Sequence, residues 1–249
     1  MKVFLANCNW PEKVNSGQFT EFNCLQSYYF LAKDKCAQLR VKNNAKYRDF
    51  ILDSGAFSYM NSVNGNNVNW NQYVEQYAHI ISTYNVKNFI EVDIDLIVGL
   101  KEVERLRNKL EKITGRQSIP VWHKSRGLDY WEWMVKNYKY VAIGGIAIKT
   151  IKRNEYGIFR HLLDVAHKNG CRVHGLGFTN TTILQRYDFD TVDSSSWNTV
   201  RFGSISVFRD GKIQTISPPA GKKIDSKAGV EFSFDQWVKF CNYIEYEKC

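Results

Sequence analysis

ILDSGAFSYM, residues 51–60, decides how the chain is read. Ile51 and Leu52 have the character of a buried β-strand, Asp53 sets a carboxylate where that strand should stop, and Ser54, Gly55 and Ala56 are too small to cover it. A charge buried without a partner is costly, so a carboxylate in this place needs a reason. A local one exists: Asp and Gly favour turns, and Asp caps helices. The choice between a turn and a functional group depends on whether the pattern recurs along the chain.

It does recur. Short β-rich runs stand at VFLA (3–6), FILD (50–53), NFIEVD (88–93), IPVWH (119–123), YVAIGG (140–145), CRVHGLG (171–177), DTVDSSS (190–196) and SISVF (204–208). Helical patterns fill the gaps. WNQYVEQYAHIISTY (70–84) lines up Tyr73, Tyr77, Ile80 and Ile81, and GLKEVERLRNKLEKI (99–113) lines up Val103, Leu106, Leu110 and Ile113. LDYWEWMVKN (128–137) and EYGIFRHLLDVAHKNG (155–170) follow, the second ending at Gly170, a helix-stopping residue. The gap 8–49 is long enough for more than one helix, and NSVNGNNVN (61–69) is a loop by composition. Eight strands alternating with helices predict an α/β fold, a single (β/α)8 TIM-type barrel over residues 1–249. A doubly wound open sheet is the alternative. No linker or internal repeat divides the chain, and no Gly-rich dinucleotide fingerprint follows the first run.

Composition narrows the class. The chain has 249 residues, 44% of them hydrophobic and 14% aromatic, enough to bury a core. No apolar run approaches the roughly 20 residues of a membrane span. MKVFLANCNW (1–10) reads as a first strand rather than a signal peptide, so a cytoplasmic protein with no membrane partner is expected. The cysteines at 8, 24, 36, 171, 241 and 249 include no C-x-x-C pair, and Cys241 and Cys249 lie well beyond the last histidine, His174, so no compact Cys/His cluster forms; reduced thiols are expected and a zinc site is not. The formal net charge of +9 favours a polyanionic partner such as nucleic acid, against the alternative of an ordinary solvated basic surface. KTIKRNEYGIFRHL (149–162) and VRFGSISVFRDGK (200–212) interleave basic and aromatic residues, as nucleic-acid surfaces and plain amphipathic segments both do.

In a barrel, chemistry sits at the C-terminal ends of the strands. Asn7 follows the first run and Asp53 ends the second. Glu91, Asp93 and Asp95 end the third at spacing two, which in extended chain puts them on one face. His123 ends the fourth, Gly144 and Gly145 the fifth, and His174, Gly175 and Gly177 the sixth. Asp193 ends the seventh, followed by Ser194, Ser195 and Ser196. Each has a local reading: an N-cap for Asp193, a tight turn for the glycine pair, a satisfied core imidazole for His123. Their joint occurrence in barrel order favours function. Several carboxylates facing one pocket suit a nucleophile and a proton-transfer group at a sugar carbon.

Four of these segments carry a resemblance. LDSGAFS (52–58) resembles the D-S-G-G-F motif of the tRNA-guanine transglycosylase superfamily, and GGIA (144–147) is similar to its G-G-L-A segment. VHGLGFTNTTIL (173–184) is similar to its M-G-V-G-T segment, and FDTVDSSSW (189–197) falls where the family has its nucleophilic aspartate. The matches keep the family's order across residues 51–197, and the D-S-G-A-F-S variant with the small size looks most like the DpdA-type branch of phages and bacterial genomic islands. That branch exchanges guanine in DNA for 7-deazaguanine derivatives. The resemblance implies Asp193 as nucleophile and Asp53 as general acid/base, with Ser54 and Gly55 leaving room for the purine. It implies Asp93 or Asp95 as reader of the base edge, with His123, Gly144, Gly145 and Gly175 around the base. DNA and a free 7-deazaguanine base are the implied partners, with no cofactor and no metal. The tRNA enzymes' C-terminal Cys/His zinc site has no counterpart here, which sets tRNA second to DNA. The other readings are a barrel glycosidase and a non-catalytic nucleic-acid-binding barrel.

Overall fold

The computed structural model describes residues 1–9, 11–56, 58 and 68–247. Phe57 of the D-S-G-A-F-S segment, residues 61–67 of the Asn-rich loop and Cys249 lie outside the described residues.

The first strand, β1 (Lys2–Ala6), pairs in parallel with β2 (Asn23–Ser27) on one side. Six further parallel strands follow: β3 (Asp49–Asp53), β4 (Asn88–Phe89), β5 (Val121–Trp122), β6 (Tyr140–Ile143), β7 (Arg172–Gly175) and β8 (Thr191–Ser194). The sheet order is β4-β3-β2-β1-β8-β7-β6-β5. Every strand lies beside its neighbour in the chain, and β1 pairs with β8, so no point exists where the order reverses. A doubly wound sheet requires such a point. The result is a mixed α/β fold with a curled, eight-stranded parallel sheet. Its two ends, β4 and β5, meet at a single parallel bridge between Ile90 and Ile119. There Glu91 N–H donates to Ile119 O at 3.0 Å and Ile119 N–H to Phe89 O at 2.8 Å. This seam is the shortest pairing in the sheet, one bridge against two to five residue pairs elsewhere.

Strand alternation divides the core in two. Phe4, Ala6, Leu25, Ile51, Val121 and Ala142 belong to a cluster inside the curl. Val3, Leu5, Cys24, Leu52 and Val141 face outward and join the helices in a larger cluster. The helices Trp70–Thr83, Leu100–Thr114, Gly127–Asn137 and Ile158–Lys168 match the periodic segments. Asn69 caps the first by accepting from Gln72 N–H, and Gly170 follows the last at φ 66°. Of the expected stripes, Ile113 departs, lying 47% exposed at the end of its helix.

The count of eight strands holds, but two expected assignments are corrected. β2 falls in the gap expected to hold helices; that gap's helices are the short Glu12–Asn15 and Lys35–Lys42. Its sequence, NCLQS, reads as polar, yet all five residues are buried. Two of their polar groups are matched internally: Arg40 Nε donates to Gln26 Oε1 at 2.7 Å, and Asn23 Nδ2 to Glu245 Oε2 at 3.0 Å. Conversely, the run at 204–208 is not in the parallel sheet. It forms β9 (Ile205–Arg209), antiparallel to β10 (Lys212–Ile216), beside the C-terminal helix Ser226–Asn242. Asp210 and Gly211 join the two strands with φ of 50° and 70°, the paired left-handed residues of a tight hairpin.

Cys8, Cys24, Cys36, Cys171 and Cys241 are free thiols. Among the described residues, no helix is long and apolar enough to cross a membrane.

Candidate active site

The parallel strands gather their C-terminal ends on one face, and a cavity of about 420 Å³ opens there. Asp53, Ser54, Asp93, His123, Gly144, Gly145 and Asp193 line it. Of the expected site residues, Gly55, Asp95 and Gly175 do not. Asn7 and Gly177, named as strand-end residues but given no role, join the wall, as does Ser27, which the sequence did not single out.

Asp53 ends β3 and turns back on its own chain. Its Oδ2 accepts Gly55 N–H at 3.0 Å, so the local turn reading is correct for one oxygen. Gly55 has φ 78°, and a β-carbon there would come within 2.6 Å of Tyr29 Cβ, so glycine is required for this turn. Burial, the largest cause, lifts the Asp53 pKa to about 6. The Gly55 N–H opposes the rise, while the negative charges of Asp193 and Asp93 add to it. Ser54 is buried and its Oγ has no hydrogen-bond partner among the described residues.

Asp193 lies across the cavity in β8. It is no helix cap: its Oδ1 accepts Gly177 N–H at 2.7 Å and faces His174 Nε2 at 3.2 Å. Gly177 has φ 65°, and a β-carbon there would sit 2.8 Å from Ala147 Cβ. Gly175, expected near the base, instead lies under Phe189, whose ring is 3.0 Å from where its β-carbon would be. The close approach of backbone to cavity belongs to Gly177. Gly144 has its N–H engaged by Trp122 O at 2.8 Å.

The third corner spans β4 and β5. β4 stops at Phe89, and Asp95 opens the short helix Asp95–Val98, so Glu91, Asp93 and Asp95 do not share one extended strand. Arg126 nevertheless collects all three. Its Nη1 donates to Glu91 Oε1, its Nη2 to Asp93 Oδ1 and its Nε to Asp95 Oδ2, each at 3.0 Å. A second buried cation, Arg107, donates to Glu91 Oε2 at 3.1 Å. Asp93 also pairs through Oδ2 with His123 Nε2 at 2.7 Å. Burial lowers the His123 pKa, but the adjacent Asp93 carboxylate and its hydrogen bond outweigh this, and the net direction is upward. Of the two candidate base readers, Asp93 faces the cavity and Asp95 is turned to Arg126. These ion pairs cross the β4–β5 seam, where backbone pairing is sparsest.

Asp93, Asp95 and His123 bring one ligand atom each within 4.8 Å of one another, a spacing compatible with a metal ion. The Arg126 guanidinium already bonds both carboxylates and supplies the positive charge there, so the set suits hydrogen-bonding recognition better than an ion. Arg107 and Arg126 are the residues of this corner that the linear reading missed; Gly177 stood among the strand-end residues, but the place beside the base went to Gly175. Arg126 stands three residues after His123 in HKSRG, which is the nearest thing to a sequence signal.

A second cavity, about 390 Å³, adjoins the first and shares Ala147, Gly177 and Thr179 with it. Lys149, Lys152 and Arg153 line it, bringing the basic end of the 149–162 segment to the mouth of the carboxylate site. A scan of the chain against protein-family models and a search of curated proteins each find no match.

Proposed function

We propose that the protein is a cytoplasmic base-exchange transglycosylase on a (β/α)8 barrel, closed at the Ile90–Ile119 bridge, that replaces guanine in DNA with a 7-deazaguanine derivative. The observation that carries this reading is the unequal pair of carboxylates in one cavity. Asp193 accepts a backbone N–H and faces an imidazole nitrogen through one oxygen, which leaves its other oxygen available to a ligand. Asp53, with its pKa lifted to about 6, can hold or release a proton near neutrality.

The chemistry balances with these two groups. A deoxyguanosine residue enters the cavity flipped from the duplex, at an unstacking cost of a few kcal/mol. An Asp193 oxygen attacks C1′; the new C–O bond forms as the bond to guanine N9 breaks. The electron pair leaves with the base, which takes the proton from Asp53 and departs neutral. The incoming 7-deazaguanine gives its ring N–H proton to the Asp53 carboxylate and attacks C1′. The ester to Asp193 breaks, and both carboxylates return to their starting state. No redox or nucleotide cofactor is required. Asp93 supplies acceptors and His123 a polar group for the base edge, both held by the Arg126 cluster. The +9 charge and the cations of the adjoining cavity support a nucleic-acid backbone as the held polymer.

The test is release of labelled guanine from double-stranded DNA, with and without added 7-cyano-7-deazaguanine and its amine and amide relatives, with tRNA in parallel. Release from DNA that depends on one of those bases is the expected result. Base-dependent release from tRNA alone would transfer the chemistry to RNA, and release from neither polymer would remove the reading.

A further inference from the structure

Behind Asp193, inside the curl of the sheet, lies a row of polar side chains that the proposed reaction does not use. His174, Thr191 and Tyr140 are all buried among the apolar residues of the inner core. His174 Nε2 faces Asp193 Oδ1 at 3.2 Å, His174 Nδ1 faces Thr191 Oγ1 at 2.7 Å, and Thr191 Oγ1 meets the Tyr140 hydroxyl. Phe4 and Tyr140 stand edge-on to the imidazole, with ring centroids at 6.1 Å and 6.5 Å, and fix its plane.

We infer that His174 is a positioning residue for Asp193, locked in one tautomer by Thr191 and Tyr140. This rests on the transglycosylase reading for its catalytic meaning but not for its geometry. The proton assignment follows from the partners. A carboxylate anion only accepts, so Nε2 carries hydrogen toward Asp193. A neutral imidazole then presents a bare Nδ1, which accepts the Thr191 hydroxyl proton. Thr191 has no further proton to give, so it accepts from Tyr140. Every donor in the row points toward Asp193. The opposite direction would leave the buried Tyr140 O–H without an acceptor among the described residues, an uncompensated desolvation. Burial, the largest cause, also pushes the Tyr140 phenol well above its ordinary pKa, so it keeps the proton with which the row begins. Both donors to Asp193, Gly177 N–H and His174 Nε2, land on Oδ1. The row therefore commits Oδ1 to the protein and leaves Oδ2 as the atom that meets C1′.

The test has two arms. The first is a long-range nitrogen–proton correlation of the His174 ring in the wild-type protein near pH 7. A protonated Nε2 with a bare Nδ1 is expected; a protonated Nδ1 overturns the inference, whatever the protein's reaction proves to be. The second arm is exchange kinetics. Thr191→Val keeps the shape but removes the lock, while Thr191→Ser keeps the hydroxyl. Thr191→Val should lower kcat on the order of 10-fold or more with KM unchanged, and Thr191→Ser should restore it. Equal rates for wild type and Thr191→Val, or equal losses in both variants, would also overturn it. If wild type shows no exchange, the function reading fails while the nitrogen spectrum still decides the row.

Discussion

Asp53 and Asp193 each give one oxygen to the N–H of a left-handed glycine, Asp53 Oδ2 to Gly55 and Asp193 Oδ1 to Gly177. The two carboxylates are anchored alike and differ in what else surrounds them. Asp53 has burial and two neighbouring negative charges, whereas Asp193 has an imidazole. The division of labour proposed for them follows from that difference.

The first consequence concerns pH. Asp53 has a pKa of about 6 in the folded protein, above its ordinary 3.8, so folding favours its protonated form. The associated stability is full at pH values below the unfolded pKa and is lost as pH rises through about 6. Asp53→Asn removes the titration. Urea melts should show the variant gaining roughly 1–3 kcal/mol on wild type between pH 4 and pH 7.5. In single turnovers, guanine departure should slow as pH rises past about 6, because departure needs the acid form. A flat profile from pH 5 to 8 would remove Asp53 from that step.

Asp193→Asn keeps an oxygen for Gly177 N–H but loses the nucleophile. Base exchange should drop by on the order of 10³-fold or more, with DNA affinity within a few-fold of wild type. Parallel exchange and anisotropy measurements decide it; a joint loss of both would mean that Asp193 shapes the cavity rather than attacks.

Arg126 is the counter-charge for Glu91, Asp93 and Asp95. Arg126→Met strands those carboxylates in a buried site and should cost about 3–5 kcal/mol in denaturant unfolding. Arg126→Lys should recover little, since one ammonium cannot reproduce the guanidinium's divergent donors. Full recovery by lysine would show that charge alone suffices.

Gly175 and Gly177 separate packing from chemistry. Gly177→Ala forces a side chain into a left-handed backbone against Ala147 and displaces the N–H on Asp193, so exchange should fall on the order of 100-fold. Gly175→Ala meets the Phe189 ring instead; it should lower the melting temperature and leave exchange within about tenfold. The reverse ranking would return the cavity-facing role to Gly175.

Lys152→Ala and Arg153→Ala address the adjoining basic cavity. Each should weaken DNA binding regardless of sequence and reduce the salt dependence of log K by roughly one. Unchanged slopes would place the phosphates elsewhere on the surface.

How much of this was legible in the chain depended on the type of residue. Asp53, His123 and Asp193 announce themselves as polar residues closing apolar runs, and the structure brings them into one cavity. The curled, eight-stranded parallel sheet followed from the alternation of those runs with helical segments. β2 was illegible because Asn23 and Gln26 are polar by composition and become core residues only through Glu245 and Arg40, remote in sequence. The 204–208 run was miscounted because its strand character is real and only Asp210-Gly211 tells that its partner is antiparallel. Arg107 and Arg126 sit on amphipathic or turn segments where a cation ordinarily faces water; their burial depends on Glu91, which a linear reading cannot pair with them.

The seam between β4 and β5 has one bridge of backbone pairing, and the side chains that lace it are those proposed to read the base. In the proposed reading, base recognition and the tie between the two ends of the sheet depend on the same side chains. On that reading a base seated on Asp93 and His123 braces the sparsest pairing of the sheet, so the filled protein should resist proteolysis and heat more than the empty one. On the same reading, a substitution at Asp93 or His123 that altered base preference would also cut a contact between the two ends of the sheet.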